Sequence, residues 1–141
     1  MDTMIERALA SRWLWLLARV LLALLFLAGG LAKLIDWEAG LAEVQAAGLN
    51  PPWVFSLATA LTLIAGAVLV LLDRLVWLAA GVLSAFLLLT IVLVHSFWTS
   101  TSEPQQVALY FAFEHLSVIG GLLAAAIASQ LRKRVAAVVV L

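Results

Sequence analysis

The chain contains no cysteine and little charge. Without a thiol there is no disulfide framework, no thiolate metal site and no thiol–disulfide relay, and the redox compartment leaves no mark on the sequence. Charged residues make up 11% of the chain and balance, eight basic against eight acidic. Such a chain has no electrostatic footprint for nucleic acid, and no basic aromatic stripe that would track a phosphate backbone occurs. Nucleophile elbow, P-loop and dinucleotide glycine motif are all missing. Gly29-Gly30 and Gly120-Gly121 lie inside apolar runs, where helix packing accounts for them better than phosphate binding.

What is abundant is apolar side chain. Hydrophobic residues make up 66% of 141, against roughly half in a soluble domain. A soluble fold of this size has too much surface for its volume to hide that excess. Lipid is the simplest environment that accepts it.

A bilayer core takes about 20 apolar residues of helix. Four stretches meet that length, at about 14–34, 53–72, 75–98 and 107–130. An acidic, amphipathic connector, a tight Asp73-Arg74 corner and a polar segment over 99–106 separate them. The runs are too long for membrane-barrel strands and lack their alternation. The first run is read as retained rather than as a cleaved signal, although Arg7 and Arg12 precede it. It is longer than a signal core, carries Arg19, and ends at Lys33 without a small-residue cleavage site. The expected fold is therefore all-α: an integral membrane four-helix bundle with a short interfacial helix between the first and second spans, one domain over 1–141.

Lys and Arg set the orientation. Arg7 and Arg12 precede the first span, Arg74 lies at the second connection, and Arg132, Lys133 and Arg134 follow the fourth span. The first connection has Lys33 at its edge against Asp36, Glu38 and Glu43, and the third has no basic residue. The positive-inside rule then puts both termini and the Asp73-Arg74 corner in the cytoplasm. Trp13, Trp15, Trp37, Trp53, Trp77 and Trp98 fall near span ends, where indole rings prefer the headgroup zone.

In the connector, Trp37, Leu41 and Val44 recur at helical spacing, Gly48 supplies a stop, and Pro51-Pro52 imposes an extended approach to the next span. The segment is either a connector resting in the interface or a lid or docking patch. Because membrane helices associate through close backbone approach, small and polar residues are expected on inward faces. These are Arg19, Ala23, Phe26, Gly30 and Lys33 on the first span, and Thr59, Thr62 and Gly66 on the second. On the third they are Gly81, Ser84, Leu88, Ile91 and His95, and on the fourth Glu114, Ser117, Gly121, Ala125 and Ala128.

Ionisable groups inside spans cost roughly 2.5 to 3.5 kcal/mol near the bilayer centre and usually mark function. Arg19 lies close enough to the cytoplasmic edge for its stem to snorkel. Lys33 ends the first span, His95 is expected in the last turn of the third, and Glu114 and His115 sit about 10 Å below the outer end of the fourth. Four polar groups from three helices thus converge on one leaflet. Glu114 must pair, accept hydrogen bonds or stay protonated, with Lys33 and the histidines as partners. It is either half of an ion pair that sets helix register or a proton acceptor at the mouth of a quinone pocket. His95 and His115 raise haem or metal. No HxxxH pair or C-x-x-C-H attachment supports either, and no metal site is assigned.

The chain resembles the DoxX family of small bacterial membrane proteins. The resemblance runs from Arg19 through Leu25-Phe26-Leu27-Ala28-Gly29-Gly30-Leu31-Ala32-Lys33-Leu34 to Gly48-Leu49-Asn50-Pro51, then Ala65-Gly66, Asp73-Arg74 and His95-Ser96-Phe97-Trp98. It closes on Glu114-His115-Leu116-Ser117-Val118-Ile119-Gly120-Gly121-Leu122-Leu123. It implies a four-span bundle in a bacterial inner membrane and a link to respiratory or redox membranes. The family takes its name from a subunit associated with a terminal quinol oxidase and thiosulfate:quinone oxidoreductase. Many relatives carry a glutamate where this chain has Thr62, so a role resting on that glutamate does not carry over.

Two function classes follow. One is an accessory subunit of a redox or envelope-stress system, with Lys33, His95, Glu114 and His115 holding a quinone-like or lipid ligand or docking a membrane redox partner. The other is a membrane oxidoreductase acting on quinol, with Glu114 as proton acceptor. A transporter is disfavoured for a monomer without internal repeat or broken helix. Association into oligomers is left open.

Overall fold

The computed structural model describes residues 2–99 and 104–139, all of whose regular structure is helical. Four helices are long and apolar enough to cross a membrane: α2 (Arg12–Ile35), α4 (Pro52–Leu71), α5 (Val76–Leu93) and α6 (Gln105–Val139). They are joined by two short helices, α1 (Asp2–Ala10) ahead of the first span and α3 (Trp37–Ala46) between the first two. The protein is a helical membrane bundle, as its composition requires.

Local chemistry sets the breaks. Ser11 separates α1 from α2, and its hydroxyl accepts from the Trp13 amide at 3.2 Å, the usual way to satisfy a free helix N–H. Asp36 ends α2 and starts α3 at once, its carboxylate accepting from the Ala39 amide at 3.1 Å. This α3 is the interfacial helix expected from the sequence. It stops before Gly48, which adopts a left-handed φ of 76°, a conformation that costs glycine nothing. Pro52 then occupies the first position of α4, where its missing N–H has no partner to lose.

The last two spans differ from expectation in length. α5 ends at Leu93, five residues early, because the Thr90 carbonyl accepts both the Val94 amide at 2.9 Å and the His95 amide at 3.1 Å. The chain turns away there, so His95 lies beyond the helix rather than in its last turn. α6 continues through Arg132, Lys133 and Arg134 to Val139. Its 35 residues span about 52 Å by helical rise, well over a hydrocarbon core of about 30 Å.

Each span packs chiefly on its neighbour in sequence, α2 on α4, α4 on α5 and α5 on α6, while the α2–α6 seam is thin. Gly30 makes a tight crossing with α4 possible: a Cβ there would lie 2.7 Å from Ile64 Cγ1 and 3.0 Å from the Ala60 carbonyl oxygen. Phe26, Leu83 and Leu122 fill the centre and are fully buried.

The inward face of α2 is as expected, with Ala23, Phe26 and Gly30 buried. On α4 Gly66 is buried, but the inner line runs through Ser56, Ala60, Leu63 and Val70, leaving Thr59 and Thr62 half-buried. The expected faces of α5 and α6 are corrected. Gly81 and Leu88 are exposed, and Val76, Ala80, Leu83 and Leu87 point inward. On α6 Ala125 is buried as expected, but Glu114, Ser117 and Gly121 are exposed, and Ala108, Ala112, Leu122 and Ser129 point inward. The inner line of α6 runs one residue on from Glu114, a rotation of about 100°. On α5 leucine, which packs as well against protein as against lipid, takes inward positions that small and polar residues were expected to hold, while on α6 the inward residues are mostly small but lie off the expected line.

Candidate functional site

The polar residues of the bundle gather at its two ends, in different ways. At one end α3 folds back over the last turn of α2. Gly40 permits this approach, since a Cβ there would lie 3.0 Å from Ser56 Oγ and 3.4 Å from the Lys33 carbonyl oxygen. One turn further along α3, Glu43 meets Lys33, with 2.5 Å between Oε2 and Nζ. The Lys33 side chain is only 12% exposed and that of Glu43 is 54% exposed. The carboxylate that neutralises Lys33 therefore comes from the connector helix and not from α6. The signal for it was an acid on a helix that has to double back over its own start.

His95 and His115 meet beside this pair. The His95 ring stacks on Phe111 at 4.7 Å between centroids, and its edge contact with His115 is 5.3 Å. Lys33, Glu43, Thr90, His95 and His115 all line one cavity of about 450 Å³, whose remaining wall includes Leu25, Phe26, Leu63, Phe86 and Leu87. An apolar chamber with a few polar groups on one side is the ordinary form of a small-molecule site. The ion pair and two imidazoles give it donors, acceptors and groups able to carry a proton.

Glu114 is placed elsewhere. It is exposed on the outer flank of α6, does not line the cavity, and has no hydrogen bond or ion pair among the described residues. Of the four residues singled out from the sequence, Lys33, His95 and His115 come together and Glu114 does not. His115 holds the cavity-facing position one residue on. Among the described residues no group of three or more His, Asp or Glu side chains gathers in metal-binding geometry.

The opposite end is organised around Asp73, which takes a left-handed φ of 54° at the α4–α5 corner. Trp15 Nε1 donates to Oδ2 at 2.9 Å and the Ser129 hydroxyl to Oδ1 at 2.5 Å. Lys133 Nζ donates to the Asp73 carbonyl at 2.7 Å and lies 3.7 Å from Oδ1. Arg19 does more than snorkel: it donates to the Leu71 carbonyl at 2.7 Å, satisfying the C-terminal turn of α4. Arg19 and Arg132 stand 5.3 and 5.7 Å from the Trp15 ring centroid, within cation–π range. Burial alone raises the Asp73 pKa. The Ser129 and Trp15 hydrogen bonds with the Lys133 and Arg19 charges outweigh it, and hold the carboxyl below its ordinary value. Asp73 thus ties α2, the corner and α6 together. Sequence reasoning saw only a tight turn there, although an Asp at a corner level with Trp15 was the available signal.

No curated protein and no solved structure matches the chain. The family model for DoxX matches residues 14–96, a stretch that holds Lys33, Glu43, Asp73 and His95 but stops short of α6. That match covers more than half of the chain, and the protein belongs to the DoxX family.

Proposed function

We propose that this DoxX protein is an accessory subunit of a redox or envelope-stress system in a bacterial inner membrane, and that its Lys33-end cavity holds a quinone-like or lipid ligand. The whole of 1–141 acts as one DoxX-like unit, α6 completing the bundle with His115. With the basic residues grouped near the termini and the Asp73 corner, the positive-inside rule sets both termini in the cytoplasm and the cavity near the outer headgroups. The observation that carries the reading is the meeting of Lys33, Glu43, His95 and His115, from four separate segments, on one apolar-walled cavity of about 450 Å³. A bundle that needed these groups only for register would have no use for the space between them.

Mass spectrometry of small molecules extracted with the protein from native membrane tests this. A quinone or other prenyl lipid enriched over an unrelated four-span control, and lost in Lys33→Met, is the expected result. No enrichment, or a Soret band in the purified protein, overturns it.

A partner-docking role has its own observation, the exposed Glu114. The residue lies fifteen positions from Ser129, about 22 Å along the helix, and so still within a core of about 30 Å measured from the Asp73 level. A carboxylate facing lipid there is costly, and a basic or hydrogen-bonding side chain from a membrane redox partner removes the cost. Glu114→Leu separates the cases: it abolishes co-purification of a docked partner and leaves the cavity ligand in place. In the catalytic alternative, a quinol oxidoreductase with Glu114 as proton acceptor, Glu114→Gln abolishes quinol turnover in a folded protein.

A further inference from the structure

The Lys33–Glu43 pair borders two cavities. On its other side lies a second space of about 200 Å³, and both spaces share Lys33, Glu43, Phe86 and Thr90. They differ in chemistry. The larger has the two imidazoles and Asp36 along its wall. The smaller is walled by Val44, Leu49, Phe55, Leu89 and Leu93, with Thr59 the one unshared hydroxyl.

We propose that the two spaces are one binding site divided between head and tail. Its ligand is a membrane amphiphile with an uncharged, hydrogen-bonding ring head in the larger cavity and a flexible apolar chain in the smaller. The Lys33–Glu43 pair is the partition. This rests on the ligand reading above and narrows it to a class.

The charges select the head. Lys33 is already neutralised by Glu43, and the Asp36 carboxylate is taken by the Ala39 amide. One basic and two acidic side chains on the wall leave nothing to hold a phosphate and repel it instead. A ring carbonyl or hydroxyl finds what it needs, a donor in Lys33 and a donor or acceptor in the His115 imidazole. The apolar walls select the tail, since each methylene moved out of water or headgroup is favourable. The partition can yield, because the Glu43 side chain is about half in solvent and has room to swing outward.

The test uses the full chain in neutral-lipid nanodiscs and two probes: 2,3-dimethoxy-5-methyl-1,4-benzoquinone, and the same ring with a ten-carbon tail. Binding is read by quenching of tryptophan fluorescence. Partition into lipid is common to wild type and variants and cancels between them. Thr59→Phe and Ala47→Phe fill the smaller cavity from α4 and from the end of α3, and neither residue lines the larger. Each variant is expected to weaken the tailed probe about tenfold, equivalent to unburying about two methylenes, and the tail-less ring less than about twofold. Undiminished binding of the tail-less ring also certifies the fold. If both probes weaken equally, or neither does, the smaller cavity is no tail compartment, while the head site stands. If neither probe binds the wild type, both readings fall.

Discussion

The two ends of this bundle use similar residues to opposite effect. At the Asp73 end polar groups close on one another: indole, hydroxyl, ammonium and guanidinium groups from α2 and α6 converge on one corner. At the Lys33 end an ion pair and two imidazoles surround open space, and one partner of the pair is half in solvent. A membrane protein has to satisfy its polar groups internally where it needs rigidity. Where polar side chains line a cavity instead, they stand ready to meet a ligand. The first end is a clamp and the second a receptacle.

Substitutions should then separate stability from binding according to the end they touch. The largest loss of stability is expected from Asp73→Ala, which strands the Trp15 N–H, the Ser129 hydroxyl and Lys133 together. Removing hydrogen bonds to a charge at about 1.5–3 kcal/mol each, with partial relaxation, gives a cost of about 2–4 kcal/mol, measurable by SDS-titrated unfolding. Gly40→Val comes next at about 1–2 kcal/mol, because the new side chain meets Ser56 and the Lys33 backbone and lifts α3. Hydrogen exchange should quicken over α3 and stay unchanged at the Asp73 corner.

Acid gives a smaller effect with a definite sign. The folded Asp73 carboxyl titrates below its unfolded value, near 3.9. Its contribution is complete above that pH and is lost as pH falls through the lower folded value. Unfolding midpoints that drop in this acid range for wild type should drop less in Asp73→Asn. Smallest of all is Glu43→Gln, about 1 kcal/mol, since the Gln oxygen still accepts from Lys33 and the carboxylate it replaces is half-exposed, although the ligand complement of the purified protein should change. A Glu43→Gln loss as large as that of Asp73→Ala would erase the distinction between the ends.

Much of this architecture was legible in the sequence. Length and hydropathy located four spans, α2 and α4 to within two residues at each end, and the spacing of Trp37, Leu41 and Val44 with Gly48 and Pro51-Pro52 announced α3. The α2 face was legible because Gly30 is there for close approach to α4, with Ala23 and Phe26 buried on the same face at helical spacing. The faces of α5 and α6 were not, since Leu83, Leu87 and Leu122 point inward with no polarity to show it. That choice of face sent the reading to Glu114 when His115 is the residue turned to the cavity. Both the Asp73 clamp and the Lys33–Glu43 pair depend on where chain segments return in space. The first joins residues 56 to 60 positions apart, beyond any local pattern.

The most direct test of clamp against receptacle is the shift in thermal midpoint produced by a saturating tailed quinone, since a ligand that binds only the folded state raises stability by mass action. The shift should be the same in Asp73→Asn as in wild type, although that variant starts lower, and should vanish in Lys33→Met. A shift that survives Lys33→Met, or that disappears in a folded Asp73→Asn, would contradict the account.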